Sequence, residues 1–293
     1  MTPPTRITGA ARARRSVAAA VVVVVALLVI ALIADLITAS RAEHRMARAL
    51  MSSPMITYEP EVVYSGRPFL TEMSSGALPK MTISARGVGI DDCGDLGACT
   101  VDVGARLYHP TVGNVWDVSP TSPIHFHRMV AETRVNSPNL GRLMNIIDLY
   151  INSPAPKGKV GGGGPGDGLI ERTDGIMLSG TVPLPGSPPY DGKYPPSASE
   201  YRHPKVKVSV TARVFVKDGR LRIQATDFYT GPEEHFSDDV PPEFRSRVLK
   251  LFSTTLPILP MAWKTPPTSA FTRGSDLILA GDAPSGTVTP GTY

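Results

Sequence analysis

Eighteen consecutive apolar residues, Val17 to Ala34 (VAAAVVVVVALLVIALIA), constrain this chain more than any other feature; Asp35 and then Leu36-Ile37 follow. At about 1.5 Å per residue, Val17 to Ile37 covers roughly the 30 Å of a bilayer core. The expectation is a basic arm over 1–16, one transmembrane helix over 17–38 and a helical stalk over 39–52. Arg6, Arg12, Arg14 and Arg15 precede the run, and the positive-inside rule places such an arm in the cytoplasm. The competing reading is a cleaved leader comprising residues 1–39. A leader has an apolar region of about 7–15 residues and a small-x-small cleavage site, so the longer run here and the poor Ile37-Thr38-Ala39 site favour an anchor at the plasma membrane. On either reading the main domain, 53–281, lies outside the cytoplasm, in a periplasmic space.

Charge is informative only after division. Arg6, Arg12, Arg14, Arg15 and Arg41 against Asp35 give residues 1–41 the entire net charge of +4, so the rest of the chain is neutral. A polycation that wraps nucleic acid is not expected, and aromatics at 6% offer little for base stacking. The two cysteines, Cys93 and Cys99, have five residues between them, flanked by glycines. In an oxidising compartment they are expected to form a disulfide that staples a small loop.

Beyond Met51 the hydrophobic period changes from 3.6 to 2. Met81, Ile83 and Ala85 alternate with polar neighbours, as do Val101, Val103, Ala105 and Leu107, and Ile176, Leu178 and Val182. The clearest pattern is VKVSVTARVFVKDGRLRIQAT, residues 206–226. There Asp218-Gly219 predicts a type I′ hairpin pairing Val216 with Leu221, Val214 with Ile223 and Ala212 with Ala225. Strands with one dry and one wet face imply antiparallel sheets over an apolar interior. Two helices are expected: one capped by Ser137 with Pro138 following, its stripe Leu140, Leu143, Met144, Ile147 and Tyr150; the other over PPEFRSRVLKLF. The Gly/Pro-rich segments 153–168 and 183–204 read as flexible loops, and 282–293 as a disordered tail.

Catalytic motifs are scarce. GGGGPGDG at 161–168 lacks the Lys-Ser/Thr of a phosphate loop, and neither a Gly-x-Ser-x-Gly elbow nor HExxH occurs. His125 and His127 share a strand face without a third metal ligand at a recognisable spacing. An enzyme reading would require His109, His125, His127 or Asp117 to converge in a groove. No catalytic residue, metal site or cofactor is expected.

Residues 60–88, PEVVYSGRPFLTEMSSGALPKMTISARGV, resemble the signature region of the LmeA-like phospholipid-binding proteins of actinobacterial envelopes. The matching residues are Pro60, Glu61, Val62, Gly66, Pro68, Phe69, Leu70, Thr71, Gly76 and Gly87-Val88; Leu256-Pro257-Ile258-Leu259-Pro260 matches a Leu-Pro-x-Leu-Pro element near the end. Arg67 departs from the pattern, standing where an aromatic is usual. The resemblance implies an α+β fold in which a strongly curved antiparallel sheet wraps a helix, as in tubular lipid-binding proteins. It also implies phospholipid binding and a part in lipomannan and lipoarabinomannan maturation.

The expected function is a non-enzymatic, membrane-anchored protein holding phospholipid or a related glycolipid in an apolar groove. Phe69, Leu70, Ile83, Val208, Val210, Val214, Leu221 and Ile223 are the candidate lining residues. The alternative is a scaffold that docks on an envelope glycosyltransferase or transporter and carries no lipid itself. A phospholipid groove should lie at or above the large end of the roughly 300–1,000 Å³ usual for ligand sites.

Overall fold

The computed structural model describes residues 9–66, 68–75, 78–91, 93, 99–152, 175–190, 197–231 and 234–293. Helix α1, Gly9–Leu50, runs through the apolar segment and the stalk without a break. Its stretch from Ala18 onward is long and apolar enough to cross a membrane. Val21 to Ile33 are exposed, but the pattern then becomes amphipathic: Asp35, Ala42, Met46, Ala47, Ala49 and Leu50 are buried. That heptad-like spacing lays one face against the sheets. The expected stalk is therefore a core element of the domain.

After α1 come β1 (Glu61–Ser65), α2 (Phe69–Ser75), β2 (Lys80–Ile90), β3 (Cys99–Tyr108), β4 (Thr111–Val112), β5 (Ile124–Phe126) and β6 (Arg128–Asn136). Helix α3 (Ser137–Met144) leads to β7 (Ile147–Asn152), β8 (Ile176–Pro183), β9 (Lys205–Lys217) and β10 (Arg220–Phe228). Helix α4 (Pro242–Leu251) precedes β11 (Thr254–Thr255), β12 (Ser269–Arg273), β13 (Asp276–Ala283) and β14 (Gly286–Val288). The strands form three open antiparallel sheets, ordered β1-β2-β3-β6-β13-β12, β11-β10-β9-β8-β7 and β14-β5-β4. The class is α+β. One apolar cluster joins α1, the inner faces of both large sheets, Val248 of α4 and Phe252 at its C-cap.

The expected hairpin forms in the expected register, with Val216 opposite Leu221, Val214 opposite Ile223 and Ala212 opposite Ala225. Asp218 (φ 54°) and Gly219 (φ 69°) supply the left-handed pair that a type I′ turn requires. The alternation in β2 holds to Ala85 and then shifts at a bulge, where Gly87 has φ 67° and Val88 and Ile90 turn inward. Cys93 and Cys99 are disulfide-bonded, their Cα atoms 5.7 Å apart, at the β2–β3 turn.

Several expectations need correction. The cap of α3 is Asn136, whose side chain accepts from Asn139 N at 2.9 Å; Ser137 lies inside the helix. Asn145, in the left-handed region, ends α3, so Ile147 and Tyr150 belong to β7 and only mimic a helical stripe. Strand β8, between β9 and β7, is buried on both faces rather than one, because its outer side is also covered. Part of that cover is a cluster of Ile147, Tyr190 and Tyr201. In the segment expected to be a flexible loop, the described residues 183–190 and 197–204 are thus packed: Leu184 N donates to Pro204 O and Tyr201 Oη to Pro188 O. Residues 191–196 and the whole of 153–168 lie outside the described residues. The tail is ordered too. Gly286–Val288 pairs with β5, and Tyr293 is buried with its hydroxyl donating to Val103 O at 3.1 Å.

Candidate functional site

The Leu-Pro-x-Leu-Pro element forms a strap between the two large sheets. At its start Leu256 N donates to Leu221 O at 2.9 Å, and Arg220 Nε donates to Leu256 O at 3.1 Å, fixing it to β10. At its end Thr133 Oγ1, buried on β6, donates to Pro260 O. Leu256 and Leu259 point inward and are buried, whereas Ile258 at the crest is 75% exposed. Proline on both sides removes backbone donors and holds the segment extended.

A cavity lies on each side of this strap. One, of about 660 Å³, is bounded by Ile258–Met261, Lys264–Pro267, the turn after α1 at Ser53–Met55, and Tyr293. The other, of about 520 Å³, is bounded by Pro257–Pro260, Arg220, and Gly89 and Asp91 at the end of β2. Lys264 of the first wall (φ 52°) and Trp263 just before it (φ 48°) form a strained pair. Non-glycine residues there cost about 1–3 kcal/mol each and persist only when their surroundings over-determine them. Here Trp263 Nε1 donates to Thr289 O at 2.8 Å, and its ring meets Tyr293 edge-on at 4.8 Å. Ser53 Oγ donates to Tyr293 O at 3.0 Å, closing the cavity floor against α1. Burial raises the Tyr293 phenol far above its ordinary pKa, so the ring stays neutral.

A separate cavity of about 520 Å³ lies between the end of α3, the end of β8 and α4. Val182, Leu184 and Leu251 supply apolar surface, and Arg247 and Lys250 line it from α4. A small polar cleft of about 180 Å³ surrounds Asp102, Arg134 and Asp276.

None of these four cavities is lined by any of the eight residues expected to line a lipid groove. Ile83 on β2, Val208 and Val210 on β9, and Leu221 and Ile223 on β10 are buried together in the central cluster, with Val214 packed at its margin. Phe69 is buried at the start of α2, while Leu70, next along the helix, is 45% exposed. Consecutive helical residues point about 100° apart, so the two side chains meet different surroundings. Ile258, Met55, Lys264 and Tyr293 were not among the expected liners; the one sequence signal near them was the proline-leucine element itself.

His125 and His127 are exposed; His125 Nδ1 lies 2.7 Å from Thr287 Oγ1, and the His127 ring stacks 5.6 Å from that of His109. Neither they nor His109 nor Asp117 borders the four cavities. Among the described residues there is no group of three side chains suited to hold a metal ion.

Recesses at the margin of a two-sheet α+β body, two of them mainly apolar and with cations at their edges, suit an apolar ligand with a polar end. The profile of the LmeA-like phospholipid-binding family matches residues 33–282, and the chain belongs to that family. No curated protein and no solved structure matches it significantly.

Proposed function

We propose that the protein is a single-pass membrane-anchored phospholipid-binding protein, non-enzymatic, whose lipid lies across the Leu256–Pro260 strap. Ile258 carries this reading. A large aliphatic side chain held 75% exposed between a mainly apolar recess and a half-polar one, on a family-matched element, forgoes about 1.5–3 kcal/mol of burial, which an acyl chain would recover. Each recess alone is smaller than a whole phospholipid groove should be, so the lipid straddles the crest with a chain on the 660 Å³ side. Arg220 and Lys264, on opposite sides, are placed to meet a phosphate. The central residues Ile83, Val208, Val210, Leu221 and Ile223 serve in this reading as the packed floor beneath the strap. The four arginines ahead of the span favour a cytoplasmic N-terminus and an extracytoplasmic domain, where the Cys93–Cys99 disulfide persists. A related glycolipid fits the same apolar requirement.

The test is native mass spectrometry of the full chain released from phosphatidylglycerol nanodiscs. One phospholipid should survive activation that strips the annular lipid around the span, and Ile258→Glu should abolish it without changing thermal stability. Equal retention by both proteins, or no lipid beyond the annular shell, overturns the reading and leaves the tethered scaffold.

A further inference from the structure

Asp35 ends the apolar run and is 93% withdrawn from solvent, at 7% exposure. Its Oδ2 accepts from Phe69 N and its Oδ1 from Leu70 N, both at 2.9 Å. The first turn of α2 is therefore fixed at the level where the span leaves the bilayer core. Chain direction agrees: Tyr64 N in β1 donates to Glu43 Oε1 at 3.0 Å, eight residues up α1, so β1 descends along α1 toward the membrane and α2 is at its foot.

The surface presented there is apolar. Leu70 is 45% exposed and Trp116 is 36% exposed, and the Trp116 ring meets Phe69 edge-on at 6.0 Å. Exposed Leu36 and Ile37 of α1 adjoin the same level. Just above lie Arg41 and Arg45, exposed on the outer side of α1 and without a carboxylate partner among the described residues. Arg41 is six residues past Asp35, about 9 Å along a helix, close to the outer limit of a headgroup layer roughly 5–7 Å thick on each side.

We propose that α2 and the Trp116 loop form a foot that rests in the interfacial layer of the leaflet nearest the domain, with Arg41 reaching its anionic headgroups and Arg45 one turn above them. The occupant is a lipid surface because the patch is continuous with the exposed span. Tryptophan beside leucine, below a short basic stripe, is the composition such an interface selects. The inference rests on α1 crossing the bilayer. It is separate from lipid carriage at the strap, which lies near Ser53, beyond the far end of α1 and more than about 22 Å along the helix from Asp35.

The two tryptophans make the test internal, since Trp263 packs on Tyr293 beside the strap, near Ser53. Full-length Trp263→Phe and Trp116→Phe chains are placed in liposomes of phosphatidylcholine with phosphatidylglycerol, with and without lipid brominated near the glycerol end of the acyl chains. Trp116 should show blue-shifted emission and at least twofold more quenching than Trp263. Where Trp263→Phe perturbs folding, a nitroxide on Leu70→Cys in the otherwise unchanged chain gives the same readout through higher collision with oxygen than with a water-soluble nickel chelate. Chains that float with the liposomes while Trp116 and the Leu70 label remain in water overturn the foot alone. Chains that do not float overturn the span and the foot together.

Discussion

The Asp35 carboxylate and the Phe69 backbone N–H meet at 2.9 Å, tying the last turn of the apolar run to the first turn of α2. A carboxylate at the edge of a bilayer core is expensive unless its charge is met; here two N–H groups and the positive end of a short helix meet it. Asp35→Ala removes the acceptor, and we expect a loss of about 1–2 kcal/mol, the scale of a lost helix cap. Asp35→Asn keeps an acceptor oxygen and should lose less than half as much. Hydrogen exchange of residues 69–73 in the full chain distinguishes the two, and equal protection in wild type and alanine variant refutes the link.

Gly281 on β13 passes under the strap's continuation, where a Cβ would overlap the Pro266 carbonyl and press on Pro267. Both partners are backbone or ring and yield little. Gly281→Ala should therefore destabilise the protein by about 1–3 kcal/mol, as overpacking does. It should also displace one wall of the 660 Å³ cavity, weakening phospholipid retention beyond what the stability loss accounts for. Chemical denaturation and lipid retention measured side by side provide the check.

Glu132 on β6 lies between Arg106 of β3 and Arg273 of β12 and pairs with both. Replacement by Gln leaves two guanidinium groups facing each other without a counter-charge. The expected loss is on the order of 1 kcal/mol, and it should shrink in 0.5 M salt as the repulsion is screened. Thermal unfolding at low and high salt reads this directly.

Asp276 has a raised pKa: burial is the main cause, Arg134 opposes it, and the nearby Asp102 adds to it. Arg134 lies 3.5 Å from Asp276 and is shared with Asp102, 3.0 Å away. The native state thus binds the Asp276 proton more readily than the unfolded chain. Its contribution falls as pH rises from about 3.9, the unfolded value, through the raised native value, and remains unfavourable above it. Asp276→Asn should accordingly melt higher than wild type at pH 7, with the difference vanishing below about pH 3.9. A variant that melts lower at pH 7 would show that the bridge outweighs burial.

Much of the architecture was readable because its causes are local. The long apolar helix follows from length and composition, and the β9–β10 register from Asp218-Gly219 with its flanking alternation. The lining of the cavities was not readable, for a physical reason. Alternation at Val208, Val210, Leu221 and Ile223 shows which strand face avoids water, but says nothing of whether that face meets lipid or other side chains. Here it meets the opposite sheet and helices within one cluster. Ile258 was hidden for the converse reason: a strap between prolines has no period, and its exposure depends on anchors at Leu221 and Thr133, 37 and 125 residues away in sequence. The tail and the described parts of 183–204 misled because Gly and Pro content masks the three tyrosines, Tyr190, Tyr201 and Tyr293, whose buried rings anchor them.

Helix α1 has no hinge between the exposed run and the buried Met46 and Leu50. With the run seated in lipid, the domain cannot swivel as though on a string, because shaft and body are one piece. Changing the bilayer's thickness would tip the shaft to keep its oily length covered, and the tip would carry the strap through an arc at the far end. How steeply the binding crest leans toward or away from neighbouring machinery would then be set by the surrounding lipid, with no moving part inside the protein.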